Sequence, residues 1–214
     1  MNRTSTAPSK LARRSGLLAA LASLALMLAP AAGVAAQPVK FGAKLDPSVQ
    51  PSNSLPAHPC SQESPGAPCT MIQNEAYYRP EGGHLAPRTG TIKRIRLIAG
   101  GPGSFRLQIA KVKASTQNGT HEAKVVANGP KITYTGQEDA NWDSSTYKVE
   151  TFNVNVPVKK GQQLALRGNY TSMVRCSSGG PNTLVYQPPL ALGGPFAPAT
   201  DTDGCWLLME AVIR

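Results

Sequence analysis

The chain is written in short runs of alternating hydrophobic and polar residues. In Ser104-Phe105-Arg106-Leu107-Gln108-Ile109, the apolar Phe105, Leu107 and Ile109 fall on one face of an extended strand, and Ser104, Arg106 and Gln108 on the other. Thr151 to Val156 repeats the device: Phe152, Val154 and Val156 alternate with Thr151, Asn153 and Asn155, and Leu164 with Leu166 makes a shorter version. Runs rich in Val, Ile, Thr and Tyr predict further strands near 71–77, 91–98, 124–126, 131–134, 183–186 and 206–213, separated by Gly, Pro, Asn and Asp. Between two of these runs, Pro157 fixes φ and ends a strand, and Gly161 admits positive φ before Leu164 re-enters the core. No helical period follows residue 36. The pattern predicts an all-β domain over residues 70–214, an antiparallel two-sheet sandwich of jelly-roll or Greek-key type.

Two segments precede that domain and break its pattern. Residues 1–36 run from a basic stretch with Arg3, Lys10, Arg13 and Arg14, through a Leu- and Ala-rich run from Gly16 to Ala29, to the small residues Val34-Ala35-Ala36. That order predicts a cleaved signal peptide and a secreted, extracellular product. The apolar run falls short of the roughly 20 residues a spanning helix needs, and no second one follows, so no transmembrane segment is expected in the mature chain. Arg13-Arg14 resembles a twin-arginine signal, but Gly16 stands where a bulky apolar residue usually follows, which favours the general secretory route. No Cys at the cleavage region argues against a lipid anchor. Residues 37–69 then form a Pro-rich segment with few large apolar side chains, expected to be an extended tail.

Export changes how charge and cysteine are read. Removing four basic residues and no acids lowers the formal net charge from +10 to +6, and the remaining Lys and Arg are scattered singly, which argues against nucleic acid as a partner. Weak adhesion to anionic cell-wall polymers stays open. The four cysteines, Cys60, Cys69, Cys176 and Cys205, all follow the cleavage site, and an even count in an exported chain reads as two disulfide bonds. Three pairings are possible; loop closure and domain layout favour Cys60 with Cys69 and Cys176 with Cys205. A zinc site is disfavoured, because close Cys spacing is missing and His58, His84 and His121 are not grouped with the cysteines.

Three segments together carry a resemblance: Gly90-Thr91-Ile92-Lys93-Arg94-Ile95-Arg96 leading into Gly100-Gly101-Pro102-Gly103-Ser104-Phe105; Phe152 through Pro157-Val158-Lys159-Lys160-Gly161 to Leu164-Ala165-Leu166; and Leu207-Leu208-Met209-Glu210-Ala211-Val212. They resemble a loose group of secreted β-sandwich domains of high-GC Gram-positive bacteria, in which a strand, a Pro-Val-x-x-Gly turn and a Leu-x-Leu strand recur. The resemblance implies the sandwich fold over most of residues 70–214 and carries over no activity. Those domains often place an acid after the turn glycine, where this chain has Gln162, so the turn offers no metal ligand.

The most site-like feature is the polar strand face of Arg106, Gln108, Asn153 and Asn155, with Arg167 beside it. Planar amides and guanidinium groups match sugar hydroxyls with paired donors and acceptors. Tyr134, Trp142, Tyr147, Tyr170 and Tyr186 are the rings available as stacking platforms, with Tyr134 and Trp142 the chosen candidates. A solvated sheet face above core aromatics accounts for the same pattern and is the commoner case. Asp201-Thr202-Asp203-Gly204 superficially matches the start of a calcium loop but lacks its terminal Glu, so turn formation is the better reading and no metal or cofactor is expected. No glycine-flanked nucleophile or His-Glu-x-x-His helix is present. Glu150 with Glu210, or Arg106 with His121 and Tyr134, are the groups an enzyme could use if the fold brought them together. Three function classes follow: a non-catalytic sandwich binding extracellular or cell-wall carbohydrate, which is the leading expectation; a jelly-roll hydrolase or lyase acting on polysaccharide; and a structural envelope protein.

Overall fold

Among the described residues, alternation along the chain is realised as twelve strands. The structure, a computed structural model, describes residues 37–45, 54–56, 67–74, 83–114, 121–137, 148–169 and 175–214. In chain order the strands are β1 Val39–Gly42, β2 Ser54–Pro56, β3 Cys69–Gln73, β4 Gly90–Leu97, β5 Gly103–Ala114, β6 His121–Tyr134, β7 Glu150–Val158, β8 Gln163–Gly168, β9 Arg175–Tyr186, β10 Ala197–Pro198, β11 Asp201–Leu207 and β12 Met209–Ile213. They form two sheets, one ordered β1-β12-β4-β7 and one ordered β10-β6-β5-β8-β3-β9-β11, with β2 also pairing β9. Every strand pairing is antiparallel. Among the described residues there is no helix, hence none long and apolar enough to cross a membrane.

The inner faces meet in one apolar core. Phe41, Ile92, Ile95, Leu97, Val156, Met209 and Ile213 come from the smaller sheet; Met71, Phe105, Leu107, Ile109, Ile132, Leu164, Leu166 and Leu207 come from the larger. The three-residue step from Ile92 to Ile95 does not break the alternation, because a register shift between Ile92 and Arg94 inserts the extra residue. The same device joins the two separate runs expected at 124–126 and 131–134 into β6. A register shift between Arg106 and Gln108 absorbs Gly129-Pro130, where an uninterrupted ladder would reject the proline.

Two expectations change at the ends of the chain. The segment expected as a tail over 37–69 opens instead as β1, paired along its length with β12, and Phe41 is buried in the core. The expected strand at 206–213 is two strands in different sheets, with the chain passing from one to the other at Leu208. That passage turns backbone carbonyls inside the core. Buried Gln73 supplies a donor, its Nε2 bonding the Leu207 carbonyl at 2.7 Å and the Met209 carbonyl at 3.3 Å. Backbone amides of Ala43 and Ile98 take the Met209 and Leu208 oxygens at 2.8 and 3.1 Å. Gly42, at φ +90°, lets β1 approach this corner: a Cβ there would lie 2.5 Å from the Met209 oxygen.

The larger sheet also carries apolar residues on its outer face. Ile72, Ala110, Ala123, Val125, Ala165, Leu184, Tyr186 and Leu190 form a second cluster. Residues 187–200 strap across it. The amide of Gly193 bonds the Val125 carbonyl at 3.0 Å, Ala199 bonds His121 at 2.9 Å, and Thr200 bonds Val185 at 2.9 Å, which curls the sheet by tying β6 to β9. Desolvation beneath this strap, and the nearby Glu122 charge, hold the Tyr186 phenol above its usual value. Cys69 is buried at the head of β3 and disulfide-bonded. Cys176 and Cys205 lie on adjacent strands, Cys176 opposite Leu207 and Cys205 opposite Ser178; Cys60 lies outside the described residues.

Replacing Gln73 by Leu removes its bonds to the buried Leu207 and Met209 carbonyls, of which Met209 keeps the Ala43 amide, and is expected to lower the unfolding free energy by about 1–3 kcal/mol. The reading is a lower urea midpoint at unchanged slope; an unmoved midpoint contradicts the role. For Tyr186 the folded protein holds the phenolic proton more tightly than the unfolded chain. Its stabilising contribution is therefore complete below the unfolded value of about 10 and is lost as pH rises beyond it. Alkaline unfolding curves should show a smaller loss in Tyr186→Phe than in the parent; equal losses contradict the assignment.

Candidate functional site

The strap covers only part of the larger sheet's outer face. At its edge the Leu190 amide bonds Thr70 Oγ1 at 3.1 Å, the Thr70 hydroxyl donates to Gln108 Oε1 at 3.1 Å, and Gln108 Nε2 donates to Asn128 Oδ1 at 3.0 Å. This chain of bonds runs along the border between the covered and the open halves. It also accounts for Gln108, which is almost fully buried and has its carboxamide committed to Thr70 and Asn128.

Beyond the border the sheet is open and cationic. In the β5–β8 register Arg106 stands directly opposite Arg167, and in the β5–β6 register it stands opposite Lys131. Three adjacent strands thus present three basic side chains in one row, at a strand spacing of about 4.8 Å. All three are exposed. Arg106 Nη1 donates to the Gly129 carbonyl at 3.2 Å, which steadies the guanidinium over the bulge. Among the described residues none of the three has a carboxylate partner. The row lines a depression of about 280 Å³ together with Ser104, Asn169 and Pro68. Like charges directly opposite one another in a ladder repel, so the arrangement favours an anion placed between them. Guanidinium groups bind carboxylates and phosphates through paired, planar bonds, and Ser104 and Asn169 add hydroxyl and amide groups at the rim.

The other expected binding residues do not join this row. Asn153 and Asn155 are exposed on β7, an edge strand of the smaller sheet, where Lys93 Nζ donates to Asn155 Oδ1 at 2.5 Å. Tyr134 is no surface platform: it is 2% exposed in the core, with its ring centroid 6.0 Å from that of Phe105. Trp142, Tyr147 and Tyr170 lie outside the described residues. Lys131 was not singled out from sequence, because its place beside Arg106 follows from strand pairing through the Gly129-Pro130 bulge, which alternation within one strand cannot show.

The groups considered for catalysis are also separated. Glu150 pairs in register with the core residue Leu97, and Glu210 with Arg96, so the two acids occupy opposite faces of the smaller sheet. Each has a local task. Glu150 accepts from the amides of Thr135 and Gly136 at 3.2 and 2.7 Å. Glu210, 1% exposed, meets Arg96 at 2.5 Å and Lys40 at 3.5 Å. His121 and Tyr134 begin and end β6. Asp201 to Gly204, expected as a turn, lies in β11 beside a register shift between Asp203 and Cys205. Among the described residues no cluster of His, Cys, Asp and Glu could hold a metal ion.

Compared with protein-family models, with curated proteins and with solved structures, the chain finds no match. Its class therefore rests on the structure itself: an all-β protein of two antiparallel sheets, the larger one curled, with a cationic row on its open outer face.

Because the row sets like charges side by side, neutralising its centre should not weaken the unliganded fold. Arg106→Gln is expected to match or exceed the parent in thermal stability at low salt, the difference shrinking as salt screens the repulsion. A clear loss of stability at low salt contradicts the charge reading of the row.

Proposed function

We propose that this protein is an exported, non-catalytic binding domain that captures an acidic carbohydrate on the outer face of its larger sheet. The row Arg167–Arg106–Lys131, exposed and, among the described residues, without a carboxylate partner, carries the reading. A neutral sugar would be held mainly by stacking on aromatic faces; of the two rings expected as platforms, Tyr134 is in the core and Trp142 lies outside the described residues. Charge then takes the larger share, which favours uronic acids over neutral hexoses. A run of carboxylates along a polysaccharide meets a row of fixed cations without either partner reorganising. Extracellular or cell-wall glycan remains the partner class, supported by the order of residues 1–36, which reads as an export signal. Repeated passage of the chain between the sheets, as from β3 to β4, β6 to β7 and β7 to β8, supports a Greek-key relative of the jelly roll over an up-and-down arrangement.

Titration of the protein with oligogalacturonate and with a neutral oligoglucan of equal length tests the reading. Binding is expected for the uronate alone, weakening as salt rises, and the double variant Arg106→Gln with Arg167→Gln should lose at least about tenfold in affinity. Equal binding of the neutral chain, no uronate binding, or an unchanged double variant would each refute the proposal.

A further inference from the structure

A second group of cations lies away from the arginine row and takes no part in the reading above. A cleft of about 520 Å³ opens where β5 and β6 face the turn between β7 and β8, and Lys111, Lys124, Lys159 and Lys160 line it. Its apolar lining includes Val126 and Pro157. Among the described residues that line it there is no Asp or Glu and no aromatic ring.

Both lysine pairs are held in place by the backbone. Lys111 stands directly opposite Lys124 in the β5–β6 ladder, a like-charge pairing that repels unless an anion lies near. Lys124 is further steadied by Phe196, whose ring centroid is 4.9 Å from its Nζ. On the other wall the turn is tied down at each residue. The Lys159 amide donates to Gln162 Oε1 at 2.7 Å and the Lys160 amide to Thr89 Oγ1 at 3.2 Å. The Gly161 amide donates to the Ala86 carbonyl at 2.8 Å. Gly161 takes φ +80°, which lets the turn close behind the two lysines. Among the described residues Lys111, Lys159 and Lys160 have no carboxylate partner.

We infer that this cleft is a separate binding site for a phosphate-bearing polyol or sugar chain. Ammonium groups act as point charges with no fixed planar fork, so four of them around one cleft can meet the oxygens of a tetrahedral phosphate from several sides. Volume and apolar lining match a short polyol or sugar segment between phosphates. Single-stranded nucleic acid is held by stacking its bases on aromatic side chains, and the described lining of this cleft includes none.

The test titrates the full chain with an oligo(glycerol phosphate), with inorganic phosphate and with a single-stranded DNA oligomer of equal charge. The oligo(glycerol phosphate) is expected to bind, and the double variant Lys159→Gln with Lys160→Gln, confined to an exposed turn, should weaken it by at least about tenfold. Lys111→Gln should weaken it as well, and Arg106→Gln with Arg167→Gln should leave it unchanged. The inference is overturned if the oligo(glycerol phosphate) fails to bind, if the lysine variants bind it as the parent does, if the arginine variant loses it, or if inorganic phosphate or DNA binds as tightly. Failure here leaves the uronate reading standing, since that reading answers to the arginine pair alone.

Discussion

One buried carboxamide holds the corner on which both sheets depend. The last strands belong to different sheets and are separated by Leu208 alone, so the backbone must turn between layers inside the core. A turn there strands carbonyl oxygens away from water, and unpaired buried acceptors are expensive. Gln73 answers two of them with one nitrogen. The rest of β3 is equally committed: Cys69 is in a disulfide, and Thr70 accepts from the strap and donates to Gln108. A five-residue strand, buried throughout, thus fixes the sheet crossing at one end and the limit of the strap at the other.

That limit decides what the outer face can do. Ala110, Ala123 and Ala165 are small residues that pack with Tyr186 and with Leu190 of the strap, and the covered half becomes a second core. Past Thr70, Gln108 and Asn128 nothing described covers the sheet, and Arg167, Arg106 and Lys131 stand exposed in one register row. Separation of the two halves by a hydrogen-bonded polar border keeps the apolar half dry while the cationic half meets solvent. The same economy appears at the β7–β8 turn, whose backbone bonds hold Lys159 and Lys160 without using their side chains.

Strand faces were legible from alternation because the side-chain period of two needs only one strand to be seen. Phe105, Leu107 and Ile109 face the core and Arg106 faces out, as their spacing implies. What alternation cannot carry is the partner strand. Asn153 and Asn155 share the polar pattern of Arg106 and Gln108, yet they sit in the other sheet, so a shared pattern does not make a shared face. Gln108 looked surface-facing and is buried, because the strap that covers its neighbours is an irregular Gly- and Pro-rich segment whose path has no periodic signature. Tyr134 failed as a platform for a related reason: a tyrosine reads the same in a core and on a surface until its strand is paired. Lys131 carries no mark in the sequence pattern, because only the bulge at Gly129-Pro130 brings it opposite Arg106.

The central claim is that Arg106 and Arg167 act together on one acidic ligand. Side-chain guanidinium NMR signals of the full chain, followed during titration with oligogalacturonate, report it most directly. The account predicts that the Arg106 and Arg167 signals shift together and saturate at one ligand concentration, while those of Arg94 and Arg96 on the smaller sheet stay still. Movement of the smaller-sheet arginines alone, or saturation of Arg106 and Arg167 at different concentrations, would contradict it.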